Sequence, residues 1–232
     1  GMSGGRIWNG ADDNASGTVG VMTIARAFAA AGVKPQRTVI FCAWTGEEKG
    51  LLGSEDWAIN PSFGSIDQCR FYLNFDMIGS PNHDFFIYDG DDSDGVGAGP
   101  GPEGSAQIEE LFESYYEGLG LPFKGTDFSG RSDYGPFIAV GIPAGGLFTG
   151  AEGVKTEEEA GIWGGTAGAQ YDPCYHLACD TIDNINLAAF DVNSDAVAFS
   201  TLQYAMNTES INGVRGKGNF QLDPGVGPRP SR

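Results

Sequence analysis

Apolar positions along the chain follow two periods, and their alternation predicts a layered α/β domain. Val21, Ile24, Ala25 and Phe28 keep the i, i+3, i+4, i+7 spacing of one helical face. That helix should open near Ser16 or Gly17 and end near Gly32, with Pro35 blocking its continuation. Residues 38–44 form a nearly unbroken apolar run, as a central strand covered on both faces would. Residues 71–77 and 85–88 predict two further strands, and 142–148 another that ends in a Gly-rich loop. Ile108, Leu111, Phe112, Tyr115 and Leu119 mark a second helical face, and Val192, Ala196, Phe199, Leu202 and Met206 that of a last helix. Residues 1–16 read as a loop and 89–104, rich in Gly, Pro and acid, as a surface insertion. From about Asn212 the chain turns Gly-, Pro- and Arg-rich, which predicts a domain over 1–211 and a flexible tail or linker over 212–232.

Strands alternating with helices imply three layers, and ligands in such folds gather at the carboxyl ends of the strands. The groups expected there are Glu47 and Glu48, Asp76, and the loop around His176. Composition narrows the chemistry. A length of 232 residues buries a core without help from disulfides. No apolar run approaches the roughly 20 residues of a membrane span, and the first residues lack the apolar stretch of a signal peptide. A net charge of −18 works against nucleic acid or an acidic membrane as partner. It suits an amine-bearing substrate or metal ions, or simply a solubilising surface. Of the four cysteines, Cys42 lies inside an apolar run and Cys69 just before another, and both read as buried free thiols. Cys174 and Cys179 are close enough to close a small loop, which contributes about 2 kcal/mol in an oxidising compartment.

Four segments carry acid or imidazole groups near turns: residues 9–17, 46–50, 74–79 and 174–176. Each has a plain reading alone. Glu47-Glu48 fits a solvated turn, Asp12-Asp13-Asn14 a helix N-cap, His176 a satisfied structural residue, and Phe75 and Met77 ordinary core around Asp76. Together they form a donor set. Zinc takes imidazole and carboxylate ligands and keeps a position open for water when it is catalytic. Two ions about 3.5–4 Å apart need a carboxylate bridge. Asp13, Glu48, Asp76 and His176 are suitable ligands, and Glu47 a suitable general base.

These segments, with residues 74–82, 145–150, 163–168 and 174–186, resemble the co-catalytic zinc aminopeptidase family that also includes glutamate carboxypeptidases, glutaminyl cyclases and the transferrin-receptor ectodomain. The similarity is greatest to its secreted bacterial leucine-aminopeptidase-like members and runs from about Asn9 to Ala205. It implies a three-layer αβα zinc-peptidase fold around a mixed, mostly parallel sheet, here lacking its N-terminal strands. It implies an exopeptidase that hydrolyses the first peptide bond of peptides with a free N-terminus, favouring large apolar N-terminal residues. Asp13 would bridge two zincs, Asp76 serve the first, and Glu48 and His176 the second. Glu47 would be general base, Tyr175 the donor to the oxyanion, and acidic groups around Glu47 and Asp76 the holders of the α-amine. Arg131 and Phe148 match positions that line the substrate cleft. Cys174 and Cys179 match a disulfide, which points to secretion; the expected state is a monomer. Asp191 and Asp195 match two calcium-binding positions, and equally suit the start of a helix.

One element of the family's pattern is missing. The first zinc's remaining ligand is a His upstream of the bridging Asp, and no His precedes Asp13. His83, in the turn 80–84, is expected to be a surface loop residue. The chain is therefore expected to be N-terminally incomplete: two zincs in the full-length protein, at most one held here. The competing expectations are a non-catalytic binding domain on the same fold and a single-zinc, glutaminyl-cyclase-like transferase.

Overall fold

The computed structural model describes residues 2–3, 5–32, 34–61, 66–97 and 99–211, so the expected tail over 212–232 lies outside the described residues. The chain opens with a small antiparallel hairpin, β1 (Met2–Ser3) and β2 (Arg6–Ile7), where the sequence predicted only a loop. Helices α1 (Gly17–Ala31) and α2 (Leu52–Ile59) precede strands β3 (Tyr72–Phe75) and β4 (Phe86–Tyr88). Helix α3 (Ser105–Leu119), β5 (Lys124–Thr126), α4 (Gly135–Ala139), β6 (Ala144–Phe148), α5 (Glu157–Trp163) and α6 (Leu187–Met206) follow. Helix α1 keeps the expected bounds, and Gly32 ends it in the left-handed conformation at φ 64°.

The main sheet runs β3-β6-β4-β5. β3 pairs parallel with β6 and β4 parallel with β5, while β4 and β6 are antiparallel, so the sheet is mixed and mostly parallel. Period-two alternation assigns its side chains to two faces. Leu73, Phe75, Ile87 and Leu147 join the core beneath α1, α3 and α6. Tyr72 and Ala144 face the other way, toward α2, α4 and Tyr134. Three layers result, as expected.

The structure departs from the sequence reading in informative places. Residues 38–44 are not a strand. A ladder needs a neighbouring backbone roughly 5 Å away, and between this run and β3 lies a cavity of about 1070 Å³ lined by both. β3 pairs only with β6, so the edge of the sheet facing that cavity carries no ladder among the described residues, and Ile40 and Phe41 are left exposed. Helix α6 also buries a different face from the one predicted. Phe199, Leu202 and Met206 are exposed, while Ala189, Ala196, Val197, Ser200, Thr201 and Ala205 are covered. Small side chains let α6 lie close to α1 and α3, so the large apolar residues do not mark its inner side. Leu119 likewise ends α3 in solvent, and Tyr116 takes the buried position. Elements α2, β5, α4 and α5 were not predicted; α5 opens on a capping box between Thr156 and Glu159. Cys42 and Cys69 form no disulfide and are only half-buried, and burial pushes the Cys42 thiol up to about 11.

Candidate metal centre and its cleft

Asp13 lies in a kinked helical segment, Ala11–Ser16, just ahead of α1. Its neighbour Asn14 fastens that segment to the end of β3: Nδ2 donates to the Phe75 carbonyl at 3.0 Å, and Oδ1 accepts from the amides of Gly17 at 2.9 Å and Met77 at 3.2 Å. Since residues 75 and 77 flank Asp76, Asn14 brings the Asp13 and Asp76 carboxylates to one place. The approach requires a glycine at 17, where a Cβ would stand 2.0 Å from the Phe75 carbonyl oxygen. From behind, Asp180 receives the Asp12 amide on Oδ1 at 2.9 Å and the Asp13 amide on Oδ2 at 3.1 Å. Asp12, fully buried, accepts from the Gly79 amide and the Ser80 hydroxyl.

Glu47 and Glu48 occupy a one-turn helix, Glu47–Lys49, between Gly46 and Gly50, both at positive φ. His176 comes from the loop closed by the disulfide that joins Cys174 and Cys179. Its Nε2 lies 3.1 Å from Asp13 Oδ2 and 3.1 Å from Glu48 Oε2. The imidazole stacks on Tyr175 at 3.8 Å between ring centroids, and Trp8 packs against it at 4.9 Å. Asp13, Glu48 and His176 each offer a ligand atom within 4.8 Å of the others. All eight residues expected in the site and its cleft (Asp13, Glu47, Glu48, Asp76, Arg131, Phe148, Tyr175 and His176) line one cleft of about 330 Å³.

The electrostatics call for a cation. Asp13 is pushed well above the usual carboxylate range by burial and by the charges of Asp76 and Glu48. Glu47 rises to about 8, first from burial, then from Asp76, Glu48 and Asp133. Asp76 rises to about 6 through burial, with the Ser132 hydroxyl at 2.6 Å pulling the other way. Its second oxygen, Oδ1, is buried without a hydrogen-bond partner. Crowded carboxylates, one orphaned buried oxygen and an imidazole are the donor set zinc takes, so the residues present fit that ion.

Sequence reasoning missed the supporting layer. Asp180, Asp12, Asn14 and Ser132 hold the ligands and their segments, and Asn74 in turn donates to the Ser132 hydroxyl at 2.9 Å. Glu152 pairs with Arg131 at 2.7 Å on the cleft wall. Polar residues in loops carry no period, so only the adjacency of Asp180 to the Cys174–Cys179 loop pointed to it. Asp191 and Asp195 are exposed one turn apart on α6, and no third donor gathers with them among the described residues. His83 is in its expected turn but is half-buried, not a surface residue. Its Nδ1 lies 3.2 Å from Asn186 Nδ2 and its ring packs on Phe85. Burial, and then Lys155, lower its pKa to about 4.

A family model described as "Peptidase family M28" matches residues 2–201. A probable leucine aminopeptidase 2 from Aspergillus oryzae is 50% identical over 202 residues, covering 87% of this chain and 40% of the relative. An aminopeptidase from Aneurinibacillus sp. strain AM-1 superimposes with a TM-score of 0.61 at 26% identity, over 86% of this chain and 40% of that one. A zinc aminopeptidase from Bacillus subtilis superimposes with a TM-score of 0.66 at 22% identity, over 92% and 45%. The chain thus spans about two fifths of the length of the curated relatives it matches.

Proposed function

The chain belongs to peptidase family M28, and on that premise we propose that it carries the catalytic centre of a secreted zinc aminopeptidase. Its substrates are peptides with a free N-terminus, preferably one with a large apolar first residue. The observation that carries this reading is the meeting of Asp13, Glu48 and His176 at 3.1 Å contacts beside the uncommitted, protonation-prone Glu47 in an open cleft. Asp13, Glu48 and His176 would hold one ion. A second ion at Asp13 and Asp76 needs a further donor; His83, held between Phe85 and Asn186, does not supply it.

Zinc held by these residues would supply Lewis acidity and would lower the pKa of water toward about 7. Glu47 then takes the proton of the attacking water and returns it to the leaving amine, a role for which a carboxyl raised toward neutrality is matched. Tyr175, whose hydroxyl is kept protonated by burial and by the nearby Asp13 charge, donates to the carbonyl oxygen as it gains charge. The α-amine is held by the surplus carboxylates of the cleft, and Phe148 offers the first side chain an apolar wall. The disulfide supports an oxidising compartment, and a monomeric protein is expected.

Release of p-nitroaniline from free and N-acetylated amino-acid anilides tests the reading. It expects cleavage of the free-amine compounds, leucine and phenylalanine above alanine, with the acetylated ones spared. Cleavage of both classes would remove the aminopeptidase assignment, and cyclisation of N-terminal glutamine without hydrolysis would replace it by a transferase.

A further inference from the structure

A second group of carboxylates, unused by the proposed chemistry, sits where the chain leaves β4. Asp89, Asp91 and Glu109 of α3 each turn a ligand oxygen to within 4.8 Å of the others. Asp89 and Glu109 are only 3% and 4% exposed. The charged groups that act most strongly on them are all acidic: Asp94 and Asp91 on Asp89, and Asp89, Asp91 and Glu113 on Glu109. Neither residue is ion-paired among the described residues.

The backbone serves one oxygen of each buried carboxylate. The Gly90 and Asp91 amides donate to Glu109 Oε2 at 2.7 and 3.3 Å, and the Asp94 amide donates to Asp89 Oδ2 at 3.1 Å. Asp89 Oδ1 is buried and makes no hydrogen bond. A buried, unpartnered carboxylate oxygen among like charges is costly unless a cation meets it. The loop is built to bring the groups together. At Gly90 a Cβ would stand 2.4 Å from the Ser105 carbonyl, so only glycine lets the strand end lie against the first turn of α3 that leads to Glu109. The expected surface insertion over 89–104 therefore begins with a buried acid.

We propose that Asp89, Asp91 and Glu109 bind a hard divalent cation, calcium, which fastens the loop after β4 to α3. The donors are all oxygen, with no imidazole or thiolate, a set that suits a hard cation. Carboxylates from three chain positions already converge, which suits calcium's 6–8 oxygen ligands better than magnesium, an ion that keeps most of its waters.

The test is calorimetry and thermal melting of the zinc-saturated chain in calcium-free buffer, followed by calcium chloride. One equivalent should bind with a dissociation constant of about 0.1–1 mM and raise the melting temperature. Asp89→Asn, Asp91→Asn and Glu109→Gln should each weaken binding about tenfold or more. Without calcium, Asp89→Asn and Glu109→Gln should melt at or above the parent, because each removes an uncompensated buried charge. Asp91 is exposed, so Asp91→Asn keeps the test valid if a buried substitution fails to fold. No calcium effect on the parent chain, or an equal effect in all three variants, overturns the proposal, the latter by placing the ion elsewhere. Magnesium binding as tightly as calcium overturns the choice of ion.

Discussion

Two carboxylate clusters stand at opposite ends of one sheet, and they differ in donors and in access. Asp76 leaves β3 beside the end of β6, whereas Asp89 leaves β4, which runs antiparallel to β6, at the other side. The Asp13 cluster includes an imidazole and opens on the cleft. The Asp89 cluster is all oxygen, and its own loop amides occupy part of its coordinating capacity. Burial and crowded like charges leave both in need of a cation. Catalysis needs in addition a ligand set that leaves room for water and a base that is not itself a ligand, and only the first cluster has Glu47.

Glu47→Gln attacks that difference where it is largest. Turnover of leucine p-nitroanilide should fall about 10²–10⁴-fold while zinc affinity by calorimetry stays unchanged; a parallel loss of zinc would make Glu47 a ligand instead. Asp180→Ala tests whether the first cluster depends on its supporting layer. Removing the acceptor of the Asp12 and Asp13 amides should weaken zinc about 10–100-fold, with no change at the calcium site. Opening the His176 loop with Cys174→Ser and Cys179→Ser together should cost about 2 kcal/mol of stability, read from denaturant midpoints.

A further effect is a pH slope. In the metal-free chain Glu47 titrates at about 8 instead of its usual 4.5, so across that window the folded state holds a proton that the unfolded state has released. Stability should therefore fall as pH rises from about 4.5 to 8. Zinc favours the ionised carboxylates and should flatten or reverse the slope. Melting temperatures from pH 5 to 8, with and without zinc, check both signs.

The sequence made the first cluster legible and not the second, for a physical reason. Asp13, Glu48, Asp76 and His176 differ in type, lie beside turns at strand ends, and recur in a family order. Asp89 and Asp91 sit in a run of Gly and Asp that reads as solvated loop, and their partner Glu109 lies on an amphipathic helix where a polar position looks like solvent. Only the glycine-enabled contact of residue 90 with Ser105 turns those acids inward. The same limit applied to the fold. β3, β4 and β6 were visible from apolar runs, but 38–44 has the composition of a strand without a neighbour to pair with. Helix α6 hid its buried face because close packing there selects Ala and Ser, not Leu and Phe.

Metal content tests the central claim most directly. Zinc titrated into the metal-free chain should give one tight equivalent, abolished by His176→Ala and retained in Glu47→Gln. Two tight equivalents would contradict the one-ion reading, and one that survives the loss of His176 would contradict the assignment of Asp13, Glu48 and His176 as its ligands.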